Sequence, residues 1–186
     1  MKYFIGVDPG NTGGMVILDR SSKLLQWTTW KDANFQSAAQ KPLNSRELLY
    51  FRAGLYSRLH SLDNRTEEST LIGIEVPFIS SHGIPLHAAG NLCYQQGLLQ
   101  SELARFGTII NVQVHSWKYR MLLSSHADKE AGYERACHLL SHVPWKKSHH
   151  GLTDALLIAE FIRLLWFQLD QDVTSIERHL ALPSPK

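Results

Sequence analysis

Apolar and polar residues alternate along the chain in blocks whose lengths separate strands from helices. Short apolar runs rich in β-branched and aromatic residues, several of them ended by glycine or proline, predict strands. Longer segments with apolar residues three or four positions apart predict helices. The predicted strands are 3–7, 15–18, 23–30, 71–76 and 109–114, and the predicted helices are 45–62, 86–106, 117–123, 129–140 and 155–169.

The order of these elements predicts an α/β fold. Three strands come first, with a glycine-rich corner at Gly13 and Gly14, and strands then alternate with helices. This order predicts a mixed central sheet that starts with three antiparallel strands and is flanked by helices. We expect one domain over residues 1–170 and a polar tail over residues 171–186, with one short helix followed by a loose end.

Composition and charge limit the class of protein. The chain has 186 residues, of which 44% are hydrophobic, and this is typical of a globular domain with a sizeable core. Its formal net charge of +2 neither requires nor excludes nucleic acid. Cys93 and Cys137 lack the CxxC spacing of a zinc site, which fits a reducing compartment.

No segment of the sequence has the pattern of a membrane or export element. The N-terminal apolar run is too short for a secretory signal, because Asp8 interrupts it. The apolar helix 155–169 carries Glu160 and Arg163 and is shorter than the roughly 20 residues that span a bilayer. The sequence therefore predicts a soluble, cytoplasmic protein with no membrane contact.

Three carboxylates border apolar segments that must lie in the core. Asp8 follows the first strand, Glu75 lies near the end of the fourth, and Asp154 comes just before the last long helix. Carboxylates at the rims of core elements can converge on one point, where their mutual repulsion calls for a cation. An all-oxygen ligand set suits Mg²⁺ or Mn²⁺, and two such ions can stabilise both the attacking and the leaving oxygen of a phosphodiester cleavage.

Each of these acids also has an ordinary structural interpretation. Asp8 can be a solvated residue of a hairpin, and Glu75 can simply end a strand. Asp154 can be an acid favoured by the dipole at a helix N-terminus. Each alternative stays open for one residue taken singly, and it is the three positions together that favour a metal site.

Three motifs resemble those of RuvC-type Holliday junction resolvases. In order along the chain they are IGVDPG at 5–10 with the following Gly13 and Gly14, IEVPF at 74–78, and DALLIA at 154–159. The resemblance implies an RNase H-like fold, with Asp8, Glu75 and Asp154 as catalytic acids that bind two Mg²⁺ (or Mn²⁺) ions per active site. It further implies a homodimeric endonuclease that resolves four-way DNA junctions in recombination and repair by paired phosphodiester hydrolysis.

The chain departs from this family at the fourth active-site position. Cellular RuvC proteins usually carry Asp, or sometimes His, one helical turn before the last acid, and here that position is Gly151. His150 lies four residues before Asp154, a spacing that is similar to phage-type relatives. His150 is therefore a candidate metal ligand or proton carrier, with a solvated loop histidine as the alternative.

Further residues are candidates for DNA contact. In the family an aromatic residue at the position of Phe78 wedges against bases at the junction centre, although a Phe in the core is the alternative. The Trp117-Lys118 pair followed by Asp128-Lys129 also resembles a pattern of phage-like members. The candidate phosphate contacts are Lys118, Arg120, Lys129, Lys146 and Lys147, although surface lysines often only interact with solvent.

Other functions are compatible with parts of this pattern. An RNase H-like nuclease that acts on other branched DNA or on RNA–DNA hybrids would keep the same acids. The segment 8–13 also resembles the first phosphate motif of sugar kinases and actin-like ATPases, but those need a duplicated domain. A non-catalytic DNA-binding relative would not need all three acids. For a homodimer, the helix 86–106, with small residues at Ala88, Ala89, Gly90 and Gly97, is the candidate interface.

Overall fold

The computed structural model describes residues 1–10, 12–30, 70–76, 86–124 and 126–181. The predicted helix over 45–62 and the candidate wedge residue Phe78 lie outside the described residues. The described strands are β1 (Tyr3–Asp8), β2 (Gly14–Asp19), β3 (Leu24–Thr29), β4 (Thr70–Val76) and β5 (Thr108–Gln113). The described helices are α1 (Leu86–Leu103), α2 (Val114–Leu122), α3 (Lys129–Leu139), α4 (His150–Gln168) and α5 (Val173–Ala181).

The described strands form one mixed sheet in the order β3-β2-β1-β4-β5. Strand β1 pairs antiparallel with β2, and β2 pairs antiparallel with β3. Strands β4 and β5 extend the other edge in parallel. The prediction of a mixed sheet with an antiparallel three-stranded start is confirmed.

Three helix boundaries differ from the sequence prediction by three or more residues, and one of them is the start of α2, which lies at Val114 and not at residue 117. Helix α1 ends at Leu103 and not at residue 106. Helix α4 begins at His150, five residues before the predicted start, so Asp154 lies beyond the first turn. The alternative that Asp154 is an ordinary acid of the first turn is therefore wrong, because the first turn of α4 contains no acidic residue.

The two faces of the sheet bury alternate residues of each strand. Phe4 and Leu71 belong to the core on the side of α4. Ile5 and Ile72, one position further along, belong to the core on the side of α1. Because side chains alternate between the two faces, even-numbered residues of β1 and odd-numbered residues of β4 face α4.

Two glycines allow α4 to lie directly on the sheet. Gly6 of β1 and Gly73 of β4 pair in register at the centre of the sheet. A Cβ atom on Gly6 would overlap the backbone of Ala155, and one on Gly73 would lie 2.9 Å from Cγ2 of Ile162. Because neither glycine has a side chain, the helix backbone approaches the strands closely and its position is fixed relative to the strand ends.

The C-terminal segment packs onto the same domain. Ile176 of α5 is fully buried and joins the core on the side of α4. The boundary between a domain over residues 1–170 and a tail over residues 171–186 remains a prediction. None of the described helices combines the length and the apolar character that crossing a bilayer requires.

Candidate active site

Asp8 and Glu75 lie side by side at one edge of the sheet. Strands β1 and β4 are parallel neighbours, and Val7 pairs with Ile74, so the next residues along both strands are the two acids. Neighbouring strands are about 4.8 Å apart. Val7 and Ile74 face α1, so the alternation of side chains directs both carboxylates to the face covered by α4.

Helix α4 brings Asp154 to the same edge. Asp154 is half-buried and directly precedes Ala155, whose backbone lies against Gly6. One turn earlier, a Cβ atom on Gly151 would lie 2.8 Å from Oδ2 of Asp8. Asp154 also borders α3, since a Cβ atom on Gly132 would lie 3.4 Å from its Oδ1. The three predicted acids therefore meet where β1, β4 and α4 come together.

The surroundings of the acids favour their protonated forms. Burial raises the pKa of Asp8 from 3.8 to about 6, against the opposing effects of the Gly10 amide and the charge of Lys129. Burial raises the pKa of Glu75 from 4.5 to about 8, and the charges of Asp8 and Asp154 add to that rise. Burial and then the charge of Asp8 raise the pKa of Asp154 from 3.8 to about 7. Burial is the larger cause for all three acids, and the repulsion that the sequence predicts for converging carboxylates adds to it for Glu75 and Asp154.

Hydrogen bonds hold two of these acids in place. The indole N–H of Trp117 donates to Oε2 of Glu75 at 2.8 Å, and this bond favours the charged carboxylate. The backbone N–H of Gly10 donates to Oδ1 of Asp8 at 2.8 Å across the turn after β1. The indole N–H of Trp30 donates to the backbone carbonyl of Asp8 at 2.8 Å, which ties the strand end to the hairpin.

Two of the predicted lysines interact with the acids. The charge of Lys118 lowers the pKa values of Glu75 and Asp154, and the charge of Lys129 lowers those of Asp8 and Asp154. Lys118 also donates to the carbonyl of Ala127 at 3.1 Å, which links α2 to the segment before α3. Both lysines therefore belong to the same electrostatic environment as the three carboxylates.

The other three predicted phosphate contacts, Arg120, Lys146 and Lys147, are exposed. Arg120 donates to Oε1 of Gln168 at 2.9 Å, at the C-terminal end of α4. Fourteen residues of helix separate Gln168 from Asp154, which is about 21 Å at 1.5 Å per residue. Lys147 pairs with Glu130 at 2.6 Å on the surface, and Lys146 is exposed. Contact of these three residues with DNA remains a prediction.

His150 is the first residue of α4 and is half-buried. Its Nδ1 is buried and has no hydrogen-bond partner among the described residues. Its backbone carbonyl accepts a hydrogen bond from the hydroxyl of Thr153 at 2.8 Å, which fixes the first turn. A buried ring nitrogen without a partner is a position where a metal or a mobile proton could be bound.

The donor atoms of these side chains are of the kind that binds a hard divalent cation, but the side chains are not arranged around a common point. Within the described ranges, no three His, Cys, Asp or Glu side chains are arranged as a metal site. The donors are nevertheless carboxylate oxygens, which Mg²⁺ and Mn²⁺ prefer, and the charge of Asp8 raises the pKa of both other acids. A bound cation would offset that repulsion, so the chemistry of these donors, though not their present arrangement, fits the metal that the sequence predicts.

Comparison with solved structures gives matches over nearly the whole chain. A structure of RuvC from Thermus thermophilus superposes with a TM-score of 0.63 at 19% sequence identity, covering 91% of this chain and 97% of that one. A structure of T. thermophilus RuvC in complex with a Holliday junction substrate gives a TM-score of 0.63 at 18% identity, with coverages of 88% and 96%. The chain has the RNase H-like fold. No family model matches the chain, and the search of curated proteins gives no match.

Sequence reasoning missed the role of Trp117 toward Glu75. These residues are 42 positions apart, and Trp117 was singled out only as part of a motif with Lys118. One signal could have found it. A buried Trp needs a hydrogen-bond acceptor for its N–H. Because β5 pairs with β4 and leads directly into α2, an acceptor at the end of β4, such as Glu75, is close to Trp117.

Proposed function

We propose that this chain is a metal-dependent, structure-selective DNA endonuclease that resolves four-way Holliday junctions. The observation that carries the proposal is the meeting of Asp8, Glu75 and Asp154 at one edge of an RNase H-like sheet. Lys118 and Lys129 interact with the same acids, so a phosphate at this edge would meet both ligand oxygens and cations. A solved structure of similar fold that holds RuvC with a Holliday junction substrate supports this substrate class.

The chain's residues have separate roles in this reaction. Asp8, Glu75 and Asp154 would hold Mg²⁺ or Mn²⁺, and His150 is a fourth candidate ligand. Two ions bound there would stabilise the attacking and the leaving oxygen of phosphodiester hydrolysis. Trp117 orients Glu75, and Lys118 and Lys129 attract the phosphate. A neutral His150 can instead take a proton from the attacking water.

DNA contact extends beyond the acids in this proposal. Lys146 and Lys147 lie on the exposed loop before α4 and would neutralise flanking phosphates. Arg120 would contact DNA only where the duplex arm passes the far end of α4. Phe78 is three residues after Glu75 in the sequence, and we keep it as the candidate wedge between bases.

Resolution of a junction needs two nicks, so we propose a homodimer. Helix α1 is the candidate interface, because a Cβ atom on Gly90 or Gly97 would meet no heavy atom of the described residues within 4 Å. These two positions are seven residues apart and lie on one face of the helix. Two free cysteines, Cys93 and Cys137, fit the reducing cytoplasm, where we propose that the protein acts. Sedimentation analysis of the purified protein tests the dimer.

The test is cleavage of a panel of labelled substrates in the presence of Mg²⁺ or Mn²⁺. The panel contains a four-way junction, a fork, a linear duplex and an RNA–DNA hybrid. We expect paired nicks in the junction and little cleavage of the linear duplex. Preferential cleavage of the fork or the hybrid would instead indicate another RNase H-like nuclease.

Substitution of the acids tests the site. Asp8→Asn, Glu75→Gln and Asp154→Asn should each abolish cleavage while junction binding is kept or improves, because each change removes negative charge beside the phosphate. The matched control is Glu177→Gln, an exposed acid on α5. Cleavage at the wild-type rate by all three acid variants would overturn the proposal.

A further inference from the structure

Trp27 and His149 form an aromatic pair at the protein surface. Their ring centroids are 5.9 Å apart, with an angle of 45° between the planes. Trp27 is 38% exposed, whereas none of the other four tryptophans is more than 8% exposed. An indole this open to solvent contributes little to the core, and its exposed ring is available to a ligand.

The pair lies on the same face of the sheet as the candidate acids. Asp8 pairs with Gly14, and Gly14 pairs with Thr29, so these three residues form one row across β1, β2 and β3. Trp27 is two residues from Thr29 on β3, so its side chain lies on the same face of the sheet as the side chain of Asp8. Standard strand spacings put the Cα atoms of Trp27 and Asp8 about 12 Å apart.

The other member of the pair connects this surface to α4 and to a positive charge. His149 directly precedes His150, the first residue of α4, and is half-buried. The backbone N–H of His149 donates to the carbonyl of Lys146 at 2.8 Å, and the Lys146 side chain is exposed. His149 thus connects the aromatic pair to the segment that carries Lys146 and to the helix that carries Asp154.

We propose that the Trp27–His149 pair stacks on an unpaired nucleobase of the DNA strand whose phosphate lies at Asp8, Glu75 and Asp154. The inference rests on the proposed nuclease function and adds a binding site for a base to it. Aromatic rings stack on any base because every base has a π-face, and a lysine beside them neutralises the adjoining phosphate. The occupant is therefore single-stranded or unstacked DNA near the branch point, bound without preference for sequence.

A purely structural role for the pair makes a different prediction. If Trp27 only anchors the loop before α4 to β3, then its replacement lowers the thermal stability of the protein. Any effect of that replacement on DNA binding would then be the same whether or not the substrate carries an abasic residue. If it stacks, then removing one base from the DNA and removing the indole have the same effect, and the two changes together add little. This comparison separates the two roles.

The experiment uses the Asp154→Asn protein, so that the DNA remains intact, and junctions in which an abasic residue is moved through the nucleotides around the cleavage site. We expect one abasic position to weaken binding about 5-fold or more. Trp27→Leu should weaken binding to the unmodified junction by a similar factor and lose the sensitivity to the abasic residue. Trp27→Phe should keep part of that sensitivity, since it keeps an aromatic ring.

Fluorescence supplies a second readout. Trp27 is the most exposed tryptophan, so stacking on a base should quench the protein's emission when DNA binds, and Trp27→Leu should remove most of the quench. The control is Phe167→Leu, an aromatic residue that is 40% exposed near the other end of α4. It should leave both the quench and the abasic profile unchanged.

The outcomes distinguish this inference from the proposed function. Wild-type protein that cleaves the junction but shows no quench, or a Trp27→Leu protein that keeps the wild-type abasic profile, overturns the stacking site alone. Should Trp27→Leu not fold, Trp27→Phe gives the same test, because it also lacks the indole and should show little of the quench. Wild-type protein that cleaves none of the branched substrates overturns the nuclease proposal, whatever Trp27 does.

Discussion

The indole N–H of Trp117 donates a hydrogen bond of 2.8 Å to Oε2 of Glu75, from the start of α2 to the end of β4. This bond favours the charged form of a carboxyl group whose burial otherwise raises its pKa to about 8. A metal ligand must be deprotonated to bind. On the proposed function, Trp117 is therefore expected to act on metal binding through Glu75.

Trp117→Phe removes that donor and keeps most of the buried ring. The pKa of Glu75 should rise further, so that more Mg²⁺ is needed for half-maximal cleavage below about pH 8 than in the wild-type protein. The difference should shrink as pH increases, because Glu75 then ionises without help. The measurement is cleavage rate against Mg²⁺ concentration at several pH values.

A matched control is Trp145→Phe. Trp145 is also buried, but its N–H has no hydrogen-bond partner among the described residues. This change should leave the Mg²⁺ requirement unchanged at every pH. An equal shift in both variants would mean that lost packing, and not the bond to Glu75, causes the effect.

Most of the sheet and the positions of two acids could be predicted from the sequence. The strands could be recognised because apolar runs end in glycine or proline, and a strand end limits where Asp8 and Glu75 can point. The start of α4 was predicted too late, because Gly151 is unfavourable inside a helix and the continuous apolar run begins only at Ala155. Gly151 is needed because it lies against the backbone of Gly13, and no local sequence pattern reveals this tertiary contact.

The environment of the basic residues could not be predicted from their spacing. Lys118 and Arg120 are two positions apart, yet Lys118 interacts with the acids and Arg120 bonds Gln168 near the other end of α4. Residues two apart on a helix point in different directions. Which direction faces the site depends on how α2 packs, and that is a property of the tertiary fold.

The metal-free protein should lose stability as pH rises from about 4 to about 8. Asp8, Glu75 and Asp154 have pKa values of about 6, 8 and 7 when folded, above their ordinary values of 3.8, 4.5 and 3.8. The folded state therefore holds more protons than the unfolded state in this window, so the free energy of unfolding falls as pH increases. Thermal unfolding in a chelating buffer at a series of pH values measures this.

Two additions to the same experiment assign the effect. Asp154→Asn should flatten the pH dependence, because it removes one titrating group and lowers the repulsion on Glu75. Saturating Mg²⁺ or Mn²⁺ should raise the melting temperature of the wild-type protein most at high pH, where the acids are ionised. A melting temperature that is constant from pH 4 to 8 without metal would contradict the raised pKa values.

Gly151→Asp should not restore the fourth acid that cellular RuvC proteins usually carry one turn before the last acid. A Cβ atom at this position would lie 2.8 Å from Oδ2 of Asp8 and would also overlap the backbone of Gly13. The variant should therefore unfold at a lower temperature and cleave more slowly than the wild-type protein. Thr174→Asp is the control for adding an acid near the start of a helix, because Thr174 is the exposed second residue of α5, as Gly151 is the second residue of α4. Wild-type stability in Gly151→Asp would show that α4 can move away from the corner.

His150→Ala should lower the cleavage rate by about 10²-fold or more, the typical contribution of a general base. The reason is the position of His150 at the start of α4, one turn before Asp154, with a buried Nδ1 that has no partner among the described residues. Single-turnover cleavage of a labelled junction at saturating protein measures this rate without a contribution from binding. His142→Ala, an exposed histidine on the preceding loop, should have little effect.

His150→Asp distinguishes the two roles that remain for this residue. A carboxylate can ligate the same hard cation, so a metal-binding role predicts that Asp retains part of the activity that Ala loses. A proton-transfer role predicts that the Mg²⁺ concentration needed for half-maximal cleavage stays at the wild-type value in His150→Ala and that only the rate falls. If His150→Ala itself cleaves at the wild-type rate, neither role holds, and the three acids alone bind the metal.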